Sequence, residues 1–240
     1  MRVSRSGLWV AAAALACAGF AALGNWQVHR RAWKLDLIAR VDQRMNAPPA
    51  TAPPRAQWPQ LSAARDEYRR LCVDGEFLHE RETLVQATTQ YGAGSWLLTP
   101  LRTASGDFVL INRGFVGPEQ RAPSTRTPGQ IAGAVRVCGL LRVSEPRGAF
   151  LHDNDPAQGR WYSRDIAAIA AARGLRTQDI APYFIDADAA PNPGGWPLGG
   201  LTVVRFPNNH LVYAITWYAL ALMAAGAAAL LLRDGRRLRR

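Results

Sequence analysis

Lysine is almost missing from this sequence. Lys34 is the only one, and the other 28 basic residues are arginine. Cysteine is scarce too: Cys17, Cys72 and Cys138 stand far apart with no CxxC pair, which argues against thiolate zinc or copper chemistry. In an oxidising compartment Cys72 and Cys138 could pair. Strand alternation, however, puts Cys72 with Arg70 and Asp74, and Cys138 with Arg136 and Arg142, on the more polar face of each strand. Separate thiols are the expected state.

Catalytic constellations are equally thin. Gly92-Ala93-Gly94-Ser95-Trp96 is neither a nucleophile elbow nor a dinucleotide fingerprint. His152-Asp153-Asn154-Asp155 has cation-binding residue types, but Ala157 and Gln158 break a calcium-loop pattern, so a turn is expected. His79, Glu80 and Glu82 read as surface polarity. These absences make an enzyme the weaker class.

Charge itself is missing from two long stretches. None occurs between Arg5 and His29, nor over the 22 residues from Leu211 to Leu232. Each run reaches the roughly 20 residues that a helix needs to cross a hydrocarbon core about 30 Å thick, and a helix satisfies its own backbone there. A cleaved signal peptide competes for the first run, with Ala16-Cys17-Ala18 as the peptidase site. The length of the run, bracketed by Trp9 and Trp26, favours a retained anchor.

The net charge of +11 suggests nucleic acid, but seven of the 29 basic residues lie outside Gly7–Leu232. Between those limits 22 basic residues face 17 acidic ones, or +5, with no stacking platform of basic and aromatic residues. Nucleic acid is therefore not an expected partner. Arg2 and Arg5 precede the first run, and Arg233, Arg236, Arg237, Arg239 and Arg240 follow the second. By the positive-inside rule both termini are cytoplasmic and the long middle segment is translocated. Arg30, Arg31 and Lys34 argue the other way and are outweighed by the tail.

The expected organisation is a cytoplasmic segment 1–7, a span 8–28, a periplasmic domain 29–210, a span 211–232 and a basic cytoplasmic tail 233–240. About 180 residues between the spans suffice for one domain with its own core. Residues 26–45 continue the first span as an amphipathic helix, with Trp26, Trp33, Leu37 and Val41 at helical spacing. Residues 47–59, APPATAPPRAQWP, read as an extended proline-rich linker. Strand-like segments follow at 68–78, 82–88, 96–103, 107–114 and 134–143, with Ala104-Ser105-Gly106 as a hairpin turn. Residues 163–174 read as a short helix with Ser163 as N-cap and Gly174 as the stop. The glycine- and proline-rich 191–200 reads as a mobile loop. The fold class is an α+β membrane protein: two terminal transmembrane helices flank a mainly antiparallel, sandwich- or barrel-like β domain carrying one or two helices.

Four segments, in order, carry a resemblance. They are LGNWQVHRRAWKLDLI (23–38), LLTPLRTASGDFVLINRGFV (97–116), NDPAQGRWYSRDIAAIA (154–170) and PNNHLVYAITWYAL (207–220). Together they resemble the surfeit-locus family of cytochrome c oxidase assembly factors. Phe115 stands where that family usually has tryptophan, and 47–59 matches no motif.

The resemblance implies a membrane-anchored, non-enzymatic factor, a chaperone of the respiratory chain in a bacterial inner membrane. Its implied partners are oxidase subunit I, other oxidase assembly factors and membrane lipids. It implies a haem a cofactor held through its iron by His210. Asn208 or Asn209 would cap the last helix, and Tyr213, Ala214 and Trp217 follow His210 at i+3, i+4 and i+7. Ala214 would leave room for a macrocycle, Trp217 would lie along its edge, and a neutral imidazole is the form that ligates haem iron. An aromatic belt is the competing account of Tyr213 and Trp217. Arg30, Lys34 and Arg113 could serve haem propionates; lipid headgroups for the first two and a structural ion pair for Arg113 compete. Small residues at Ala14/Ala18/Ala22 and Ala221/Ala225/Ala229 would let the two spans pack closely. Two other classes stay open: a scaffold that binds an oxidase subunit without a cofactor, and a periplasmic enzyme tethered at both ends.

Overall fold

Both charge-free runs form helices. The computed structural model describes residues 5–146, 148 and 152–237. Helix α1 runs without a break over Arg5–Asn46, a single turn α2 covers Ala63–Asp66, and the last helix, α4, covers His210–Arg237. Helices α1 and α4 are both long and apolar enough to cross a membrane. At 1.5 Å per residue the 42 residues of α1 extend for about 63 Å, roughly twice a hydrocarbon core. The chain divides into two compact units, one made of the two ends up to Arg40 and from Arg205, the other of Val41–Val204.

The second unit is built on strands β1 (Ala50–Thr51), β2 (Arg70–Phe77), β3 (Thr83–Thr89), β4 (Gly92–Arg102), β5 (Phe108–Val116), β6 (Ala134–Val143) and β7 (Ile180–Ala187). Their order is β1-β2-β6-β7-β5-β4-β3, and a further β2–β4 pairing closes β2, β6, β7, β5 and β4 into a ring. Closure removes the free edges those strands would otherwise present. All pairings are antiparallel except β1–β2 and β5–β7. The expected hairpin joins β4 to β5, with Gly106 at φ +85° in its turn, a conformation that costs glycine little.

Two cores form on the two faces of this sheet. Inside the ring, alternate residues Leu71, Val73, Val109, Ile111, Leu141, Tyr183 and Ile185 pack together. On the outer face, Leu98, Leu110 and Phe184 pack against Ile166, Ile169 and Ala170 of helix α3 (Ile166–Ala172) and against Trp161. Each such side chain contributes about 1.5–3 kcal/mol on burial. Burial on both faces is why β5 has no polar alternation.

Several expectations change here. Cys72 and Cys138 are joined as a disulfide. Their shared polar face is real, but the β2–β6 register sets them directly opposite each other. The proline-rich 47–59 is docked. Thr51 pairs with Cys72, Trp58 packs on the inner core, and the Pro53 carbonyl accepts from Trp58 Nε1 at 3.1 Å and Tyr183 Oη at 3.4 Å. The cap of α3 is Asp165, whose carboxylate accepts from the Ala168 N–H. Ser163 instead bonds Asn154 through its N–H and its Oγ. Gly174 does end that helix, at φ +67°. Strand β7, which no expectation covered, lies at the centre of the sheet.

A polar cluster ties this unit together. The buried Asp186 carboxylate accepts from Asn112 Nδ2 at 2.7 Å, Arg142 at 3.0 Å, Arg164 at 3.1 Å and Thr202 Oγ1 at 2.9 Å. Arg164 also binds Glu145, and Arg142 binds Glu67. Burial pushes the Glu145 carboxyl up, but the hydrogen bonds and charges of Arg164 and Arg142 outweigh it and hold it below the usual range. Such a network stabilises only when every member is satisfied, and here each arginine has carboxylate partners.

Candidate functional site

Polar side chains between two apolar helices are costly and need partners. The two-helix unit has such a pair. His210 is the first residue of α4, and its Nδ1 lies 2.7 Å from Gln27 Oε1 on α1. An amide oxygen only accepts, so Nδ1 is the donor in this contact. Gln27 is 8% exposed, held among the helices, whereas His210 is half-buried. The Asn209 carbonyl accepts from the Tyr213 N–H, which makes Asn209 the cap position and sets His210 in the first turn, as expected.

The same helix faces continue the contact. Phe20 stacks on Trp217 with ring centroids 5.8 Å apart. Tyr218 Oη donates to Asn25 Oδ1 at 2.6 Å. A side chain at Gly24 would meet the Tyr218 ring at 2.6 Å, so glycine permits this approach. The pairings run in opposite senses along the two helices, which are antiparallel. Ala214 and Ala221 are buried, while Ala14, Ala18, Ala22, Ala225 and Ala229 are exposed. The packing stripe is therefore Phe20, Gly24 and Gln27 against His210, Ala214, Trp217 and Ala221, not the alanine series expected. The space beside Ala214 is filled by the neighbouring helix rather than left for a macrocycle. Tyr213 is 55% exposed and turns away from α1, on the side that lipid would cover.

Of the cationic candidates, Arg30 lies over the Trp33 ring at 3.9 Å and Lys34 over Phe206 at 5.0 Å, both in the helical unit. Cation–π contacts of this kind hold a charge at a wet boundary. Arg113 belongs to the β unit and is 3% exposed. It donates to the Gly129 carbonyl and to Asn192 Oδ1, approaches His79 Nδ1 at 3.4 Å, and covers the Phe77 ring at 4.7 Å. No ion pair to it occurs among the described residues, unlike the structural salt bridge anticipated. Burial pulls its guanidinium down to about 10, against the opposing charge of Glu82.

Other singled-out residues are architectural. Asn154 Oδ1 accepts from the Tyr162 and Ser163 N–H groups, Asp155 pairs with Arg160, and His152 stacks on Tyr162. Glu82 is not mere surface polarity: it makes a two-pronged pair with buried Arg126, and His79 Nε2 reaches the Ile131 carbonyl at 3.0 Å. Gln27 is the residue that sequence reasoning missed. Its signal was available: Phe20, Gly24 and Gln27 fall at i, i+4 and i+7, one helix face.

Two long apolar helices paired through a histidine and a glutamine, and a closed β ring with one covering helix, fit a two-span membrane protein that carries a single β domain. A family model described as the SURF1 family matches residues 14–222. The chain is 37% identical over 226 residues to a SURF1-like protein of Monosiga brevicollis, covering 89% of this chain and 83% of that relative. It is 37% identical over 218 residues to Surfeit locus protein 1 of Homo sapiens, covering 83% and 69%. With Surfeit locus protein 1 of Rattus norvegicus the identity is 36% over 214 residues, covering 82% and 67%. The chain belongs to the SURF1 family.

Proposed function

We propose that this protein is an assembly factor for haem-copper cytochrome c oxidase, anchored in the bacterial inner membrane by α1 and α4. Both termini are cytoplasmic and the β unit is periplasmic. It works with oxidase subunit I and other assembly factors, and it assists the insertion of haem a into the catalytic subunit rather than catalysing a reaction. Family membership supports the oxidase role.

The observation that carries the cofactor reading is the His210–Gln27 pair. A half-buried imidazole whose Nδ1 is engaged at 2.7 Å is a nitrogen donor of the type that would hold haem iron. Haem a would supply the redox centre of the oxidase; this chain would only hold it. Gln27 fixes the ring and its tautomer, as outer hydrogen bonds do for ligating histidines. Trp217, braced by Phe20, and exposed Tyr213 supply aromatic surface near His210 on α4. Arg30 and Lys34 supply cations for propionates.

Deleting the gene tests the assembly reading. The expected result is a fall in cytochrome c oxidase activity and in its haem a, with oxidases lacking haem a intact. Normal oxidase in a deletion strain with no paralogue would overturn it.

A further inference from the structure

Arg113 raises a question that the helical site does not answer. A buried guanidinium is ordinarily paired with a carboxylate, because an uncompensated charge in a protein interior costs several kcal/mol. Among the described residues Arg113 has only neutral hydrogen-bond acceptors, the Gly129 carbonyl, Asn192 Oδ1 and His79 Nδ1; the nearby Glu82 carboxylate is bonded to Arg126. The neutral acceptors engage three of its five N–H donors. Arg126, the other buried arginine among the described residues, has a carboxylate partner in Glu82.

Beside it lies a cavity of about 320 Å³, at the lower end of the range for ligand pockets. Phe77, Ile111, Ile131, Val135 and Val137 give it apolar walls, and Arg113 contributes the buried charge. Two other charged groups line it. Arg136 is locked to Asp74 by two hydrogen bonds of 2.8 Å, and Asp188 accepts from the Ala190 N–H. The register explains the placement: Arg113 is the extra residue of a β-bulge between the Leu97–Gly114 and Leu98–Asn112 pairs, and it lines the cavity beside Ile111 and Phe77 of the inner core.

We propose that this cavity is a binding site for a small monocarboxylate with an apolar tail, its carboxylate paired to Arg113. At roughly 30 Å³ for each water-sized group, the cavity holds about ten heavy atoms. The apolar walls match the tail, and the guanidinium is the complement of the head.

The test uses the full chain in nanodiscs, with hexanoate as the probe and empty nanodiscs subtracted, read by ligand-observed NMR. Hexanoate should bind saturably, and hexanol, which lacks the charge, at least tenfold more weakly. Arg113→Met should abolish binding and Arg113→Lys should restore part of it. Because Arg113→Met could also disturb folding, Ala190→Trp provides a second arm. Ala190 lines the cavity and is exposed, so the indole blocks the space while Arg113 stays in place, and binding should again be lost. Equal binding of hexanol and hexanoate, or unchanged binding in Ala190→Trp, would overturn the proposal. So would displacement of hexanoate by a short peptide through its free C-terminus at lower concentration than any small monocarboxylate, which would make the site a peptide dock.

Discussion

His210 Nδ1 donates to Gln27 Oε1 at 2.7 Å, linking the first turn of α4 to a buried position on α1. The amide oxygen can only accept, so Nδ1 is the donor in this bond. The bond also explains why a buried glutamine occurs at this point of α1. Gln27 is the acceptor that a histidine at this depth requires.

Gln27→Met should therefore weaken haem retention by about ten- to a hundredfold, the usual cost of losing the hydrogen-bonded support of a ligating histidine. Gln27→Glu keeps an acceptor and should retain most of the haem with a shifted absorption band. Haem titration of the purified variants checks both. Equal affinity in Gln27→Met and the unmodified protein would show that the pair is structural only.

The disulfide gives a second expectation. Cys72 and Cys138 are separated by 66 residues, and a crosslink over such a loop stabilises by about 4 kcal/mol in the chain-entropy account. Replacing both by serine should lower the urea midpoint of the β unit without changing its circular dichroism at zero urea. An unchanged midpoint would mean that the crosslink is dispensable.

Asp186 should be among the least replaceable residues. Asp186→Ala leaves Arg142 and Arg164 without their shared carboxylate and removes the partner of Asn112. Losing one member of a buried charged network costs about 3–5 kcal/mol. The variant should fail to accumulate or should unfold at much lower temperature, measured by thermal melts in detergent. Asp74→Ala, which breaks an exposed pair, should leave the thermal midpoint nearly unchanged.

Acid should loosen the same region. Arg164 and Arg142 hold the folded Glu145 carboxyl below its ordinary value of 4.5. Its contribution is therefore complete above that value and is lost as pH falls through the lower, folded one. Thermal midpoints should be flat from pH 7 to about 5 and then decline, less steeply in Glu145→Gln. A midpoint that rises on acidification would contradict the assignment.

Much of this arrangement was legible in the residues. Both terminal helices followed from the missing charges. The β4–β5 hairpin followed from Ala104-Ser105-Gly106 between two strand-like runs, and β6 fell on its expected residues. Strand β7 escaped because Ile180–Ala187 is buried on both faces, with Pro182 and Asp186 interrupting its apolar run, so period-two alternation never shows. The disulfide escaped because facing direction can be read from one strand, while register needs its partner. Gln27 escaped because its reason for being there lies 183 residues away in the chain.

The most direct test of the account is the visible spectrum of the protein purified from cells that make haem a, compared with His210→Ala. The substitution removes one nitrogen donor and leaves a good helix former in the first turn of α4, so membrane abundance should stay normal. His29→Ala, which changes a histidine of α1 instead, serves as the control. The account predicts a haem a band in the unmodified protein and in His29→Ala, and its loss in His210→Ala. A full band in His210→Ala, or none in the unmodified protein, would contradict it.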